Sequence, residues 1–298
     1  MKHWIQAARL RTLPLAISTM IVGHSLASYD GSFSWVIAIL SILTAVSLQV
    51  LSNFSNDYGD TVHGADHDLR SGPSRAVQSG KISLQSMKKA MIVTGIVALI
   101  LGISLVFTAF DDWVLRGMFI ALGLAAIWAA VNYTAGSNPY GYSGKGDIAV
   151  FIFFGLVTVL GSYYLQTQQF RWEILLPAIS CGALSVGVLN INNIRDIASD
   201  QIAGKNSIPV KIGRDAAVIY HGILLLMGLS MFVIFGLIEA FGLDYRWLFL
   251  MTTPLFLINF RAVLTKKEAS TLDPFLKQLA LSSALLFLLF SAGIFVFS

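Results

Sequence analysis

About nine apolar stretches of bilayer-crossing length run along this chain, at 12–29, 35–55, 89–110, 116–134, 148–166, 173–193, 216–238, 246–264 and 277–297. A backbone inside hydrocarbon must satisfy its own hydrogen bonds, which leaves helices or a closed barrel. No strand-and-turn alternation is visible, so the expected fold is all-α: a polytopic membrane protein with about nine transmembrane helices in one bundle, residues 1–298 forming a single domain. Composition agrees, because 56% apolar and 12% charged residues with a mean hydropathy of +0.73 are too greasy for an ordinary soluble domain.

The basic residues orient this bundle. With the N-terminus cytoplasmic, the inner segments hold 17 of the 20 lysines and arginines, and the outer loops keep only Arg116, Arg171 and Arg246. The positive-inside rule therefore places the N-terminus in the cytoplasm and the C-terminus outside. The pI of about 9.2 follows from those loops; the basic residues are scattered among helix ends without an aromatic platform, so no nucleic-acid partner is expected. Cys181 is the only cysteine and lies in an apolar span, which excludes an intramolecular disulfide and a cysteine-cluster metal site. Lys2, Arg9 and Arg11 ahead of an apolar run imitate a secretory signal. Cleavage is not expected, because it would leave eight spans and remove Arg11-Thr-Leu-Pro14.

Polar residues should be scarce at such span ends, yet two clusters occur there. One is Asn53-Phe-Ser-Asn56-Asp57-Tyr-Gly-Asp60; the other runs from Asn190 through Asn192, Asn193, Arg195 and Asp196 to Asp200. Asn53, Asn56, Asp57 and Asp60 follow i, i+3, i+4, i+7, and Asn192, Asp196 and Asp200 follow i, i+4, i+8, so each set can share one helix face. Were the two helices neighbours, the faces would form a polar pocket at the cytosolic boundary. Packing these carboxylates together costs energy without a cation. Hard oxygen ligands suit Mg2+, which takes one or two protein carboxylates and completes its shell with phosphate oxygens. Each cluster opens a long loop, roughly 58–88 and 194–215, after apparent spans two and six, which hints at a duplicated four-helix unit. A cation-coupled transporter also places acids in membrane spans, but such sites lie near the midplane on broken helices.

At these motifs the chain resembles the UbiA superfamily of intramembrane prenyltransferases, in which two aspartate-rich segments on helices two and six hold magnesium and an isoprenyl diphosphate. Within it, the chain is most similar to the 1,4-dihydroxy-2-naphthoate polyprenyltransferases of menaquinone biosynthesis. The strings that carry this are Arg11-Thr-Leu-Pro-Leu-Ala16, Asn56-Asp-Tyr-Gly-Asp60 with Gly64-Ala-Asp66, Arg75-Ala-Val-Gln-Ser-Gly80, Tyr133-Thr134, Pro139-Tyr-Gly-Tyr142 with Gly144-Lys-Gly-Asp147, and Asn192-Asn-Ile-Arg-Asp196 with Asp200 and Gly204-Lys205. The wider superfamily pattern sets a third aspartate where this chain has Gly64; Asp66 and Asp68 stand nearby instead.

The resemblance implies transfer of a polyprenyl group from an isoprenyl diphosphate to 1,4-dihydroxy-2-naphthoate with loss of carbon dioxide, giving demethylmenaquinone. Other acceptors of the superfamily are 4-hydroxybenzoate, homogentisate and haem. It implies Mg2+ as cofactor, held by Asn53, Asp57 and Asp60 on one face and by Asn192, Asp196 and Asp200 on the other, with the four aspartates catalytic. Substrate contacts are expected from Arg11, Asn56, Asp66, Arg75, Tyr140, Tyr142, Lys145, Asn193 and Lys205. For the carboxamides the alternative role is capping helix ends, for the cations positive-inside trim, and for the tyrosines an interfacial belt. The expected location is the inner (plasma) membrane, with the lipid bilayer as partner and the active site facing the cytoplasm.

Overall fold

The structure, a computed structural model, describes residues 2–64 and 75–296, and all regular structure among them is helical. A short helix α1 (Lys2–Ala8) leads into α2 (Leu13–Tyr29), α3 (Trp35–Val62), α4 (Leu84–Ala109) and α5 (Trp113–Asn132). One continuous span over Gly146–Thr167 follows, made of α6 (Gly146–Val150), a π-helical stretch (Phe151–Leu160) and α7 (Gly161–Thr167). Then come α8 (Leu175–Arg195), the short α9 (Ile197–Ile202) and α10 (Ile208–Ile212), and α11 (Arg214–Ile238). A 3-10 segment (Tyr245–Thr252) runs into α12 (Thr253–Thr265), and α13 (Asp273–Phe295) ends the described chain.

Local chemistry sets these limits. Ser34, Ser83 and Asp112 accept the backbone N–H groups of Ile37, Ser86 and Leu115 and so cap α3, α4 and α5. Pro14, Pro254 and Pro274 stand in the first turns of α2, α12 and α13, where a missing N–H costs nothing. Among the described residues, eight helices are long and apolar enough to cross a membrane, which makes this a multi-pass membrane protein. The first predicted stretch forms α2, which at 17 residues sits at the short end of the spanning range. The long loops are shorter than the sequence indicates, because α3 continues to Val62, α4 begins at Leu84, and α9 and α10 fold within 194–215. Polar residues hid these helical turns from a hydropathy reading.

The α8 helix is the most buried span and α5 the least. Small residues allow that central position. A Cβ on Gly155 of the π-helical stretch would lie 2.5 Å from the Ala178 carbonyl of α8, and one on Gly182 would meet the Phe151 ring at 2.8 Å. Buried Phe232 and Phe235 of α11 pack with Phe249 and with Phe287 and Phe290 of α13. α13 also packs along α2, so the last span closes on the first. At the end of the bundle remote from the aspartates, Arg171 pairs with Asp30 at 2.7 Å and Glu239 at 2.5 Å, while the Tyr163 hydroxyl donates to Asp30 at 2.6 Å. Those contacts tie the ends of α2, α7 and α11 together.

Candidate active site

A cavity of about 480 Å³ opens among α2, α3, α4, α5, the Gly146–Thr167 span, α8 and α13. Both Asp60 and Ser41 of α3 line it, so it follows that helix for about 28 Å at 1.5 Å per residue. Its two ends differ in chemistry. Near the α3 and α8 C-termini the wall carries Asp60, Asp196 and Asp200 with Arg9, Arg11, Arg75, Lys205 and Lys277. Further along α4, α5 and the π-helical stretch it is built of side chains such as Leu99, Val106, Phe119, Phe153 and Val157.

On α3, Asn53, Asn56 and Asp60 line this cavity and Asp57 does not. At 100° per residue the first three fall within an arc of about 60°, with Asp57 about 40° beyond Asn53. Both Asp57 oxygens accept backbone N–H groups instead, from Ala76 at 3.2 Å and Val77 at 3.1 Å. That holds the turn carrying Arg75, whose guanidinium returns to pair with Asp60 and to bond the Asn56 carbonyl. Asp57 lines a second, smaller cavity of about 320 Å³ together with Arg9, Arg11, Arg75, Asn192 and Arg195. Asp60 also accepts the Tyr142 hydroxyl at 2.5 Å. The Asn53 amide donates to the Ala8 carbonyl at 2.8 Å and to Thr12 at 3.1 Å, and its oxygen accepts from Gln49 at 3.3 Å. Asn56 accepts the Thr134 hydroxyl at 2.9 Å. The loop after α5 can come this close because residue 59 is glycine: a Cβ there would lie 2.3 Å from the Thr134 carbonyl.

On α8, Asn192 and Asp196 line the cavity, and Asp200 joins them from α9. Arg195 forks onto Asp196 at 2.8 and 2.7 Å and reaches the Asn192 oxygen at 2.8 Å. Asp200 accepts from Lys205 at 3.4 Å and Ser207 at 3.3 Å. Burial pushes its carboxyl above the usual range, Asp196 adds to the rise, and Lys205 opposes it. Asn193 is buried off the cavity, and its side-chain oxygen has no partner among the described residues.

Of the remaining expected contacts, Arg11 lines both cavities, and Tyr140 and Lys205 line the larger one. Tyr140 donates to the Ala129 carbonyl at 2.9 Å, stacks on Trp128, and has its phenol pushed up to about 12 by burial. Lys145 is exposed and lies outside both linings. Asp66 falls outside the described residues. Two lining residues had no signal strong enough to single them out, Arg9 and Lys277, while Tyr133 of the Tyr133-Thr134 string also lines the cavity. Arg9 is held in the left-handed region at φ 49°, uncommon for a non-glycine residue. Lys277 comes from the last span, and only the tertiary fold brings it here.

Each carboxylate on the wall thus has a cationic partner in the protein: Asp60 has Arg75, Asp196 has Arg195 and Asp200 has Lys205. These arginines and lysines supply the relief of crowding that the sequence pattern attributed to metal alone. Among the described residues no three His, Cys, Asp or Glu side chains converge as a self-sufficient metal cage. The donor set still fits Mg2+, since it is all oxygen and each carboxylate oxygen retains a lone pair beyond its present bond. A hard ion with one or two protein carboxylates and a phosphate-completed shell needs no closed cage.

A charged mouth, lined by acids from two spans and by arginines and lysines and continued by an apolar channel, is the arrangement of a membrane enzyme acting on an amphiphile with a charged head. The chain belongs to the UbiA prenyltransferase family, whose profile matches residues 16–296. It is 42% identical over 293 residues to 1,4-dihydroxy-2-naphthoate octaprenyltransferase of Escherichia coli, covering 98% of this chain and 95% of that one. Among solved structures, a UbiA homolog from Aeropyrum pernix superposes with a TM-score of 0.69 at 17% identity, covering 97% of this chain and 98% of that one. Another from Archaeoglobus fulgidus, bound to DMAPP and Mg2+, gives 0.59 at 15% identity with 99% of each chain covered.

Proposed function

We propose that this membrane prenyltransferase moves a polyprenyl group from its diphosphate to 1,4-dihydroxy-2-naphthoate, in the inner membrane, with the site open to the cytoplasm. The observation that carries the chemistry is the continuity of one cavity from the Asp60, Asp196 and Asp200 wall into the apolar channel beside α4 and α5. The acceptor assignment is supported by the near-full-length relative named for that reaction. The inward orientation is supported by the basic residues that crowd the aspartate end. The whole chain acts as one unit in this reading, because α2 near its start and α13 near its end both contribute to the cavity wall.

In this reading the diphosphate head sits among Arg9, Arg75 and Lys205, and the polyprenyl tail lies against Leu99, Phe119 and Phe153. Asp60, Asp196 and Asp200 with Asn53 and Asn192 would hold Mg2+, which when bound would supply positive charge beside the negative charge of the leaving diphosphate. The guanidinium and ammonium groups stabilise the same charge as the allylic C–O bond breaks and its electron pair leaves with the diphosphate. Asp57 contributes by fixing the turn that presents Arg75. The naphthoate ring attacks the allylic carbon. If its carboxyl group leaves from the substituted position as carbon dioxide, the released bonding pair restores the ring, and no base is needed at that carbon. Tyr140 and Tyr133, edge to face at 5.4 Å, offer the cavity an aromatic wall for such a ring.

The test is turnover by the purified protein in lipid, with an isoprenyl diphosphate and either 1,4-dihydroxy-2-naphthoate or 4-hydroxybenzoate, with and without Mg2+, read by mass spectrometry. A decarboxylated prenyl-naphthohydroquinone formed only with Mg2+, read as its quinone after oxidation by air during work-up, is expected. Product from 4-hydroxybenzoate alone would retain the mechanism and overturn the acceptor.

A further inference from the structure

Arg195 has a side chain only 2% exposed and makes four side-chain hydrogen bonds beside the site. Its Nε and Nη2 donate to the two oxygens of Asp196 at 2.8 and 2.7 Å, Nη2 also reaches the Asn192 oxygen at 2.8 Å, and Nη1 donates to Asp273 at 2.5 Å. A basic residue at a helix end is ordinarily solvated positive-inside trim, but burial at this level rules that role out here. Direct contact with a donor in the main cavity is not its place either, because Arg195 lines only the smaller cavity.

We propose that Arg195 is a positioning residue, anchored by Asp273 of α13, that holds Asn192 and Asp196 in the geometry from which they engage a divalent cation and the diphosphate it carries. This rests on the function proposed above. Two side chains one turn apart on α8 otherwise rotate independently; one planar guanidinium bonded to both couples their rotamers. The fork matches a carboxylate in a way an ammonium cannot. It uses one lone pair on each Asp196 oxygen and leaves another directed elsewhere. Asp273 completes the clamp from an element 78 residues away, so the last span sets the angle of a ligand pair on the central one. Removing such supports around metal ligands typically costs about 10–100-fold in metal affinity.

The experiment uses the full chain in lipid nanodiscs, as wild type, Arg195→Lys, Asp273→Asn and Asp273→Glu. Mg2+ is titrated calorimetrically in the presence of geranyl S-thiolodiphosphate, a donor analogue that does not react, and the melting temperature of each ligand-free protein is recorded. Arg195→Lys and Asp273→Asn are expected to weaken Mg2+ binding by about 10–100-fold, Asp273→Glu to recover much of it, and half-saturating Mg2+ in turnover to rise by more than kcat falls. Unchanged Mg2+ affinity in folded variants overturns the proposal, and so does a lower melting temperature without an affinity change, which marks Arg195 as a strut only. Should Arg195→Lys fail to fold, Asp273→Asn decides alone, since it leaves the guanidinium in place. A wild type that binds no Mg2+ with the analogue overturns the underlying function; a wild type that binds while the variants match it overturns only the positioning role.

Discussion

Asp57 and Asp60 stand three residues apart and do different work. The sequence makes them one ligand face, and the helical spacing is real, yet a difference of about 60° around α3 turns Asp57 toward the backbone of 76 and 77. Asp57→Asn replaces one acceptor by a donor facing an N–H. It is expected to loosen the Arg75 turn and raise the KM for the diphosphate about tenfold, the scale of one hydrogen bond to a charged group, in steady-state kinetics against donor concentration. Asp200 is held differently. Its carboxyl is raised by burial, so ionisation costs stability as pH rises above the ordinary aspartate range near about 3.9. Asp200→Asn removes that cost. The ligand-free variant should melt higher than wild type at neutral pH while turnover falls by about 100-fold or more, the scale of losing one electrostatic stabiliser of a transition state. The aspartates and their order were legible from spacing. Arg195 was not, because its decisive partner, Asp273, is remote in the chain, and a positive residue at a span end has an ordinary explanation.

At the scale of elements, hydropathy located the spans to within a few residues but not their polar ends. Asp60 belongs to a helix that continues to Val62, beyond the apolar run that announced it. The π-helical stretch at Phe151–Leu160 had no signature in the sequence at all, since a continuous apolar run reads the same for either helix type. It places Phe153, Phe154, Val157 and Thr158 on the cavity wall, consistent with the frequent siting of π-turns at functional positions. Close approaches are equally hidden, though a glycine within a polar motif is a usable hint. Gly59→Ala would set a Cβ 2.3 Å from the Thr134 carbonyl. Displacing that loop is expected to cost about 1–3 kcal/mol, typical of overpacking. The readout is a lower melting temperature together with reduced donor binding, because the same loop bonds Asn56.

Across the whole molecule, the site and the Arg171 tether occupy opposite ends of the bundle. Arg171→Ala frees Asp30 and Glu239 and is expected to cost about 1–3 kcal/mol, as for hydrogen bonds to charged groups. Thermal unfolding should report that loss, while the KM for the donor stays at its wild-type value. Among the described residues, five cationic side chains and three carboxylates line the cavity wall. In the reaction proposed above, such a basic mouth would hold the inorganic diphosphate left behind much as it holds the donor's head. Departure of that anion is then the expected slow step. A rapid first turnover followed by a slower steady rate is expected in quenched-flow experiments, and the slow phase should quicken with added salt, which screens the surplus. An enzyme of that kind would be slowed by its own inorganic by-product wherever the anion accumulates.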